Sequence, residues 1–71
     1  MKRYLVVIEE TSTGFSAFSP DLAGCISAGR TRVEVEKNMQ EAIEFHLEGM
    51  RLEGLHVPKP HYYTTYVEVP A

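Results

Sequence analysis

Ten carboxylates, three histidines and one cysteine are the side chains of this sequence with the richest reactive chemistry, and their spacing decides what they can do. Metal-dependent cleavage of a phosphodiester on a sheet needs carboxylates gathered on central strands to hold two cations about 4 Å apart. The centre of the first apolar run is instead Leu5, Val6, Val7 and Ile8. Glu9 and Glu10 stand at its end and point to opposite faces, because successive strand residues alternate. Asp21 falls in a turn. No catalytic residue is assigned. His46 lies at the centre of an apolar helical arc, where a histidine hydrogen-bonded in the core or at a subunit contact is expected. His56 and His61 flank Pro58-Lys59-Pro60 and can approach each other, but no cysteine or acid stands beside them at ligand spacing. Neither metal nor cofactor is expected. Cys25 has no basic residue or histidine beside it and reads as a small buried hydrophobe. The remaining candidate is a surface for binding. Phe45 and Leu52 are seven residues apart on one line of a helix, among Glu41, Glu44 and Glu48. Two apolar anchors ringed by carboxylates suit a basic, partly apolar protein partner, with the charges steering encounter. The plain alternatives are a merely solvated face, or a Phe45 tucked beneath the last strand.

The elements that position these residues are legible from pattern. Residues 3–9 are β-branched and aromatic and predict a strand. Glu10-Thr11-Ser12-Thr13-Gly14 predicts a turn, and Phe15 to Ser19 a second strand stopped by Pro20, the two forming a hairpin. Cys25 to Ala28 predicts a short third strand. Thr31 with Glu34 is a capping box, in which the hydroxyl accepts from a first-turn amide and the carboxylate reaches back to the cap amide. From Arg32 to about Leu52 the period is helical. Val35, Met39, Ala42, Ile43, His46, Leu47 and Met50 share an arc of roughly 140°, with Glu34, Lys37, Glu41, Glu44, Glu48 and Arg51 opposite. Gly54 suits the position after the helix, and Pro58 and Pro60 forbid continuation. His61 to Val69 alternates and predicts a fourth strand.

The expected architecture is α+β, in the order β-β-β-α-β: a small mixed sheet whose last strand lies parallel to the first, with one right-handed crossover helix on one face. One helix covers only one face of such a sheet. Yet the first strand is apolar on both faces, and the last carries tyrosines on both. Self-association through the uncovered face or a strand edge is expected, as a homodimer or tetramer, with Tyr4, Val6, Tyr62 and Tyr66 at the interface. Otherwise the termini and the 55–60 loop must fold over that face.

Composition bounds the rest. Seventy-one residues make one small domain, and a chain of this length buries only about 60% of its unfolded surface. With one cysteine there is no intrachain disulfide. No secretory signal precedes the first strand and no apolar stretch approaches about 20 residues, so a cytoplasmic setting without membrane contact is expected. Ten acids against seven Lys and Arg leave a formal charge of −3, and only Lys2/Arg3 and Arg30/Arg32 form close basic pairs. Direct nucleic-acid binding by this chain is not expected, since it needs a basic patch to displace counterions.

Taken end to end, the sequence resembles the HicB-like antitoxins. The resemblance rests on Tyr4, Phe15, Pro20-Asp21-Leu22-x-Gly24-Cys25, Gly29-x-Thr31, Glu34, Asn38, Glu41-Ala42-Ile43, and Gly54 followed by Pro58-x-Pro60. It departs at Ala23, where a proline is frequent, and at Arg30, where an acid is frequent. The resemblance implies a partial ribonuclease-H-like fold without catalytic carboxylates. It also implies a non-catalytic module that neutralises a small basic HicA-type toxin by covering the surface that cleaves RNA. Many members carry a C-terminal DNA-binding segment; this sequence ends at Ala71, so operator binding by this chain is not expected. An orphan oligomeric domain binding a small ligand or another protein is the alternative reading.

Overall fold

A computed structural model describes residues 2–71 and gives, in chain order, β1 (Val7–Glu10), β2 (Phe15–Phe18), β3 (Ile26–Gly29) and α1 (Arg32–Leu52). The strands form an antiparallel meander in the order β1-β2-β3. Val7 pairs with Phe18 and Phe18 with Ile26; the next rung runs Ile8, Ala17, Ser27. Because side chains alternate, these rungs face opposite ways. The Ile8–Ala17 rung turns to the core, where Ala17, Leu22, Cys25, Val35 and Met39 are buried. The Val7–Phe18–Ile26 rung belongs to the other face, and there Phe18 is 47% and Ile26 70% exposed. The sheet is thus covered by a helix on one face and open on the other, as its two-sided apolar sequence predicts.

The turn from β2 to β3 drives Leu22 into that core. The Leu22 amide donates to the Ser19 carbonyl at 3.1 Å and the Cys25 amide to the Leu22 carbonyl at 3.1 Å, leaving Leu22 only 2% exposed. The helix then starts where the capping residues place it. Thr31 Oγ1 accepts from the Glu34 amide at 3.0 Å, but the Glu34 carboxylate takes the Arg30 amide at 2.8 Å rather than the amide of the cap residue itself. The box closes one residue earlier than expected. The other end is a Schellman motif: Gly54, at φ +72°, donates to the Arg51 carbonyl and Leu55 to the Met50 carbonyl.

Helix and sheet meet most closely at Gly29. A Cβ built there would lie 2.6 Å from the Val35 nitrogen and 2.9 Å from its Cα, so only a hydrogen fits. Asn38 fastens the same junction, donating from Nδ2 to the Ala28 carbonyl at 2.9 Å. As a result α1 packs chiefly over β3 and β2.

Two expectations fail, both concerning pairing. The first strand is in the ladder only from Val7, because β2 ends at Phe18, the residue opposite Val7, and Pro20 follows two residues later. Residues 3–6 therefore have no ladder neighbour. The fourth strand, expected over 61–69, joins no ladder, so there is no crossover and no parallel pair among the described residues. Period-2 alternation fixes which side chains share a face, but a ladder needs an adjacent strand, and this segment leaves the body of the domain. Every residue from 61 to 71 is exposed. The Cα radius of gyration is 13.9 Å, against about 11 Å for a compact chain of this length, and the longest dimension is 49 Å.

The Gly29 contact makes a paired prediction. Gly29→Ala forces backbone apart and should cost about 2 kcal/mol in urea denaturation. Gly49→Ala places a methyl in open space on α1 and should instead stabilise by about 0.5–1 kcal/mol. Equal effects at the two positions would remove the claim that the helix–sheet contact is sterically set.

Candidate functional site

The outward face of α1 follows from its inward one. Val35 and Met39 are fully buried, and Ala42, Ile43 and Leu47 pack partly against the core. With about 100° between residues, Glu41, Glu44, Phe45, Glu48 and Leu52 are turned away from that contact, and all five are exposed. Phe45 is 83% and Leu52 79% exposed, so neither anchor serves the fold, and Phe45 is not tucked beneath the C-terminal segment. Phe45 also borders a shallow depression with Ala23, His46, Gly49, Met50 and Leu55. Leu55 is 53% exposed and adds a third apolar side chain beside the acidic face. Its place there comes from the Schellman turn, which folds the chain back by one residue; a Gly–Leu pair after a helix is the signal that could have found it. Charge on this face is uneven. Glu48 accepts from Arg51 Nη2 at 2.7 Å, both side chains more than half exposed, a pairing worth at most a few tenths of a kcal/mol. Glu41 and Glu44 have no such partner among the described residues.

The other candidate residues divide. His46 is half-buried at the rim of the depression rather than in the core, because the helix leans toward β3 and buries Val35 and Met39 instead. Cys25 is buried, 3% exposed, and burial pushes its thiol above the ordinary value. His56 and His61 do not form a site together. His56 is exposed, while His61 turns to Asp21, its amide donating to Oδ1 at 3.1 Å and its Nδ1 lying 2.6 Å from the same oxygen. Among the described residues no group of three His, Cys, Asp or Glu side chains could hold a metal ion. No helix among them is long and apolar enough to cross a membrane.

The residues expected between copies are also split. Tyr62 and Tyr66 stand out from the domain, 50% and 100% exposed. Tyr4 and Val6 pack partly against the core on the helix side, so they do not belong to the uncovered face. That face is carried by Val7, Phe18 and Ile26. The Asp21–His61 contact and a bond from the Tyr4 hydroxyl to the Pro58 carbonyl, 2.7 Å, were not legible at all. They join residues 40 and 54 apart, and no local pattern encodes them.

Fold and surface together define a small α+β domain built round one helix with an acidic, apolar-studded outer face. A family profile described as the HicB-like antitoxin of bacterial toxin-antitoxin systems matches residues 4–71, and the chain belongs to that family. Its relatives include an uncharacterized 14.9 kDa protein of the rep-hol intergenic region of Haemophilus phage HP1, 39% identical over 94% of this chain. A Synechocystis UPF0150 protein is 44% identical over 79% of this chain and 72% of its own length. A Helicobacter pylori UPF0150 protein is 41% identical over 69% of this chain and 68% of its own length. The chain spans half the length of the phage relative. Among solved structures, a chain of a HicA3 and HicB3 toxin-antitoxin complex superposes with a TM-score of 0.74 at 37% identity, covering 84% of this chain and 70% of that one.

The buried thiol makes a second prediction. Cys25 should react with a thiol reagent only as fast as the domain opens, and at once in denaturant. Its raised pKa means that folding opposes the thiolate. Stability should therefore be level below the ordinary thiol range and decline as pH rises through it. Rapid labelling of the native protein would place Cys25 at the surface.

Proposed function

We infer that this chain is a non-catalytic antitoxin that holds a small, basic, HicA-type toxin stoichiometrically against the outer face of α1. The observation that carries this reading is the pair Phe45 and Leu52, each about four-fifths exposed on a face where Glu41, Glu44 and Glu48 supply negative charge. Large side chains left in water on a rigid helix have a packing cost with no return inside the domain. They repay it as anchors in a partner's pockets. Carboxylates around them favour encounter with a surface made basic to bind RNA, and the anchors slow dissociation once docked. Blocking such a surface needs no bond to be made or broken. The family supports this reading, as does the HicA3 and HicB3 complex in which a similar chain occurs.

Co-expression with a HicA-type toxin and co-purification test it. The unaltered chain should capture the toxin at equal stoichiometry. Phe45→Glu should weaken capture by about 30-fold or more, the effect of losing a central anchor, while the circular-dichroism spectrum is unchanged. Glu41→Lys with Glu44→Lys should slow association and reduce its salt dependence. Undiminished capture by a folded Phe45→Glu chain would rule this face out.

A further inference from the structure

The helix side of the sheet lacks a strand. Beyond the β1 edge, α1 overhangs a groove of about 440 Å³ lined by Tyr4 and Val6 below and by Gln40, Ile43, Glu44 and Leu47 above. Ile43 and Leu47 belong to the apolar stripe of the helix, yet none of the described residues completes their burial from that side. The backbone below is equally incomplete, since among the described residues β1 has β2 on one edge and no neighbour on the other, and residues 3–6 pair with none.

The same chain carries a segment of the right kind and holds it elsewhere. Residues 62–69 alternate, with Tyr63, Thr65, Val67 and Val69 on one side, and make no backbone hydrogen bond to any other element. Tyr63 is 88%, Tyr66 100%, Val67 77% and Val69 70% exposed. The root of this arm is fastened at two points: Pro58 to the Tyr4 hydroxyl, just before β1, and His61 to Asp21 in the turn between β2 and β3. The connection before it is stiff. Pro58 and Pro60 fix their own φ, and each holds the preceding residue, Val57 or Lys59, to extended backbone. Such a connection favours an arm that continues outward over one that doubles back along β1.

We propose that two copies of this chain exchange these arms, residues 62–69 of each lying along the free β1 edge of the other and setting their Tyr63–Val69 row in the groove beneath Ile43 and Leu47. The occupant is a second copy because segment and vacancy occur in equal number in every chain, so a twofold exchange satisfies both without leaving an edge over. The area agrees. A compact chain of this mass exposes on the order of 4,400 Å², whereas this one exposes 6072 Å². The excess is roughly 1,600 Å², about twice what a standard interface takes from each partner. This arrangement is independent of toxin capture through the outer face of α1, and it is tested on the chain alone.

Sedimentation at micromolar concentration should give a species of twice 8.0 kDa. Replacing both Thr65 and Tyr66 by proline removes two successive amides, one of which must face any ladder. It should raise the dimer dissociation constant at least about a hundredfold while leaving the helical dichroism intact. A spin label on Ala71→Cys, mixed with isotope-labelled unmodified chain, should broaden the amide signals of residues 3–8 in the labelled copy. An 8.0 kDa species, a dimer indifferent to the proline pair, or broadening confined to the spin-labelled chain itself would each overturn the exchange, the last in favour of an arm that closes on its own sheet.

Discussion

The approach of α1 to β3 at Gly29 is the constraint on which the other features of the domain depend. With the Val35 backbone where a Cβ would otherwise sit, the helix comes close enough to bury Val35 and Met39 completely. The Thr31 cap and the Asn38–Ala28 bond fix its angle at the same point. Once the helix is committed to β3 and β2, two consequences follow without further instruction. Its far face, with Phe45 and Leu52, must stand in water, and its near flank must overhang the β1 edge. The exposed outer face and the open groove are two sides of one packing decision.

What the sequence discloses and what it hides separate along the range of the interactions. The bounds of α1 come out as Arg32 and Leu52 because a cap at Thr31 and a left-handed Gly54 act within four residues. The burial of Cys25 follows from its apolar character, and the place of Phe45 off the core arc from the helical period. Strand ends come out less well, since Val7 begins the ladder only because Phe18, eleven positions later, ends it. The arm is the sharpest case: alternation at 61–69 predicts a strand, yet the segment joins no ladder among the described residues, because a period says nothing of which edge a segment meets. Long-range ties such as Asp21–His61 leave no local trace, because either residue alone looks like an ordinary turn residue.

Size gives these choices their energetic weight. Among the described residues five buried hydrophobic side chains make the core, and no disulfide supplements it, Cys25 being the sole cysteine. A domain this small retains little margin, and each additional Å² of apolar surface removed from water is worth about 25 cal/mol. The two proposed contacts, at the outer face of α1 and at the β1 edge, would each add such burial. Polar detail at the root of the arm bears on the same point: Asp21 is buried with one carboxylate oxygen bound to His61. The His61 amide bond to this buried carboxylate fixes where the arm leaves the domain.

The arm's direction is therefore as much a product of the fold as the helix is. Tyr4 and Asp21 hold the root from the two ends of a short proline-bounded turn, and the first strand supplies one of those holds from the residues that lack a ladder neighbour. Under the proposed exchange, Tyr4 aims the chain's own arm while the neighbouring β1 edge takes the equivalent arm of a second copy. The acidic face of α1 points elsewhere, with Glu44 at the border between the two surfaces. One helix can then serve both contacts, because residues three or four positions apart lie on one face while those between them face away.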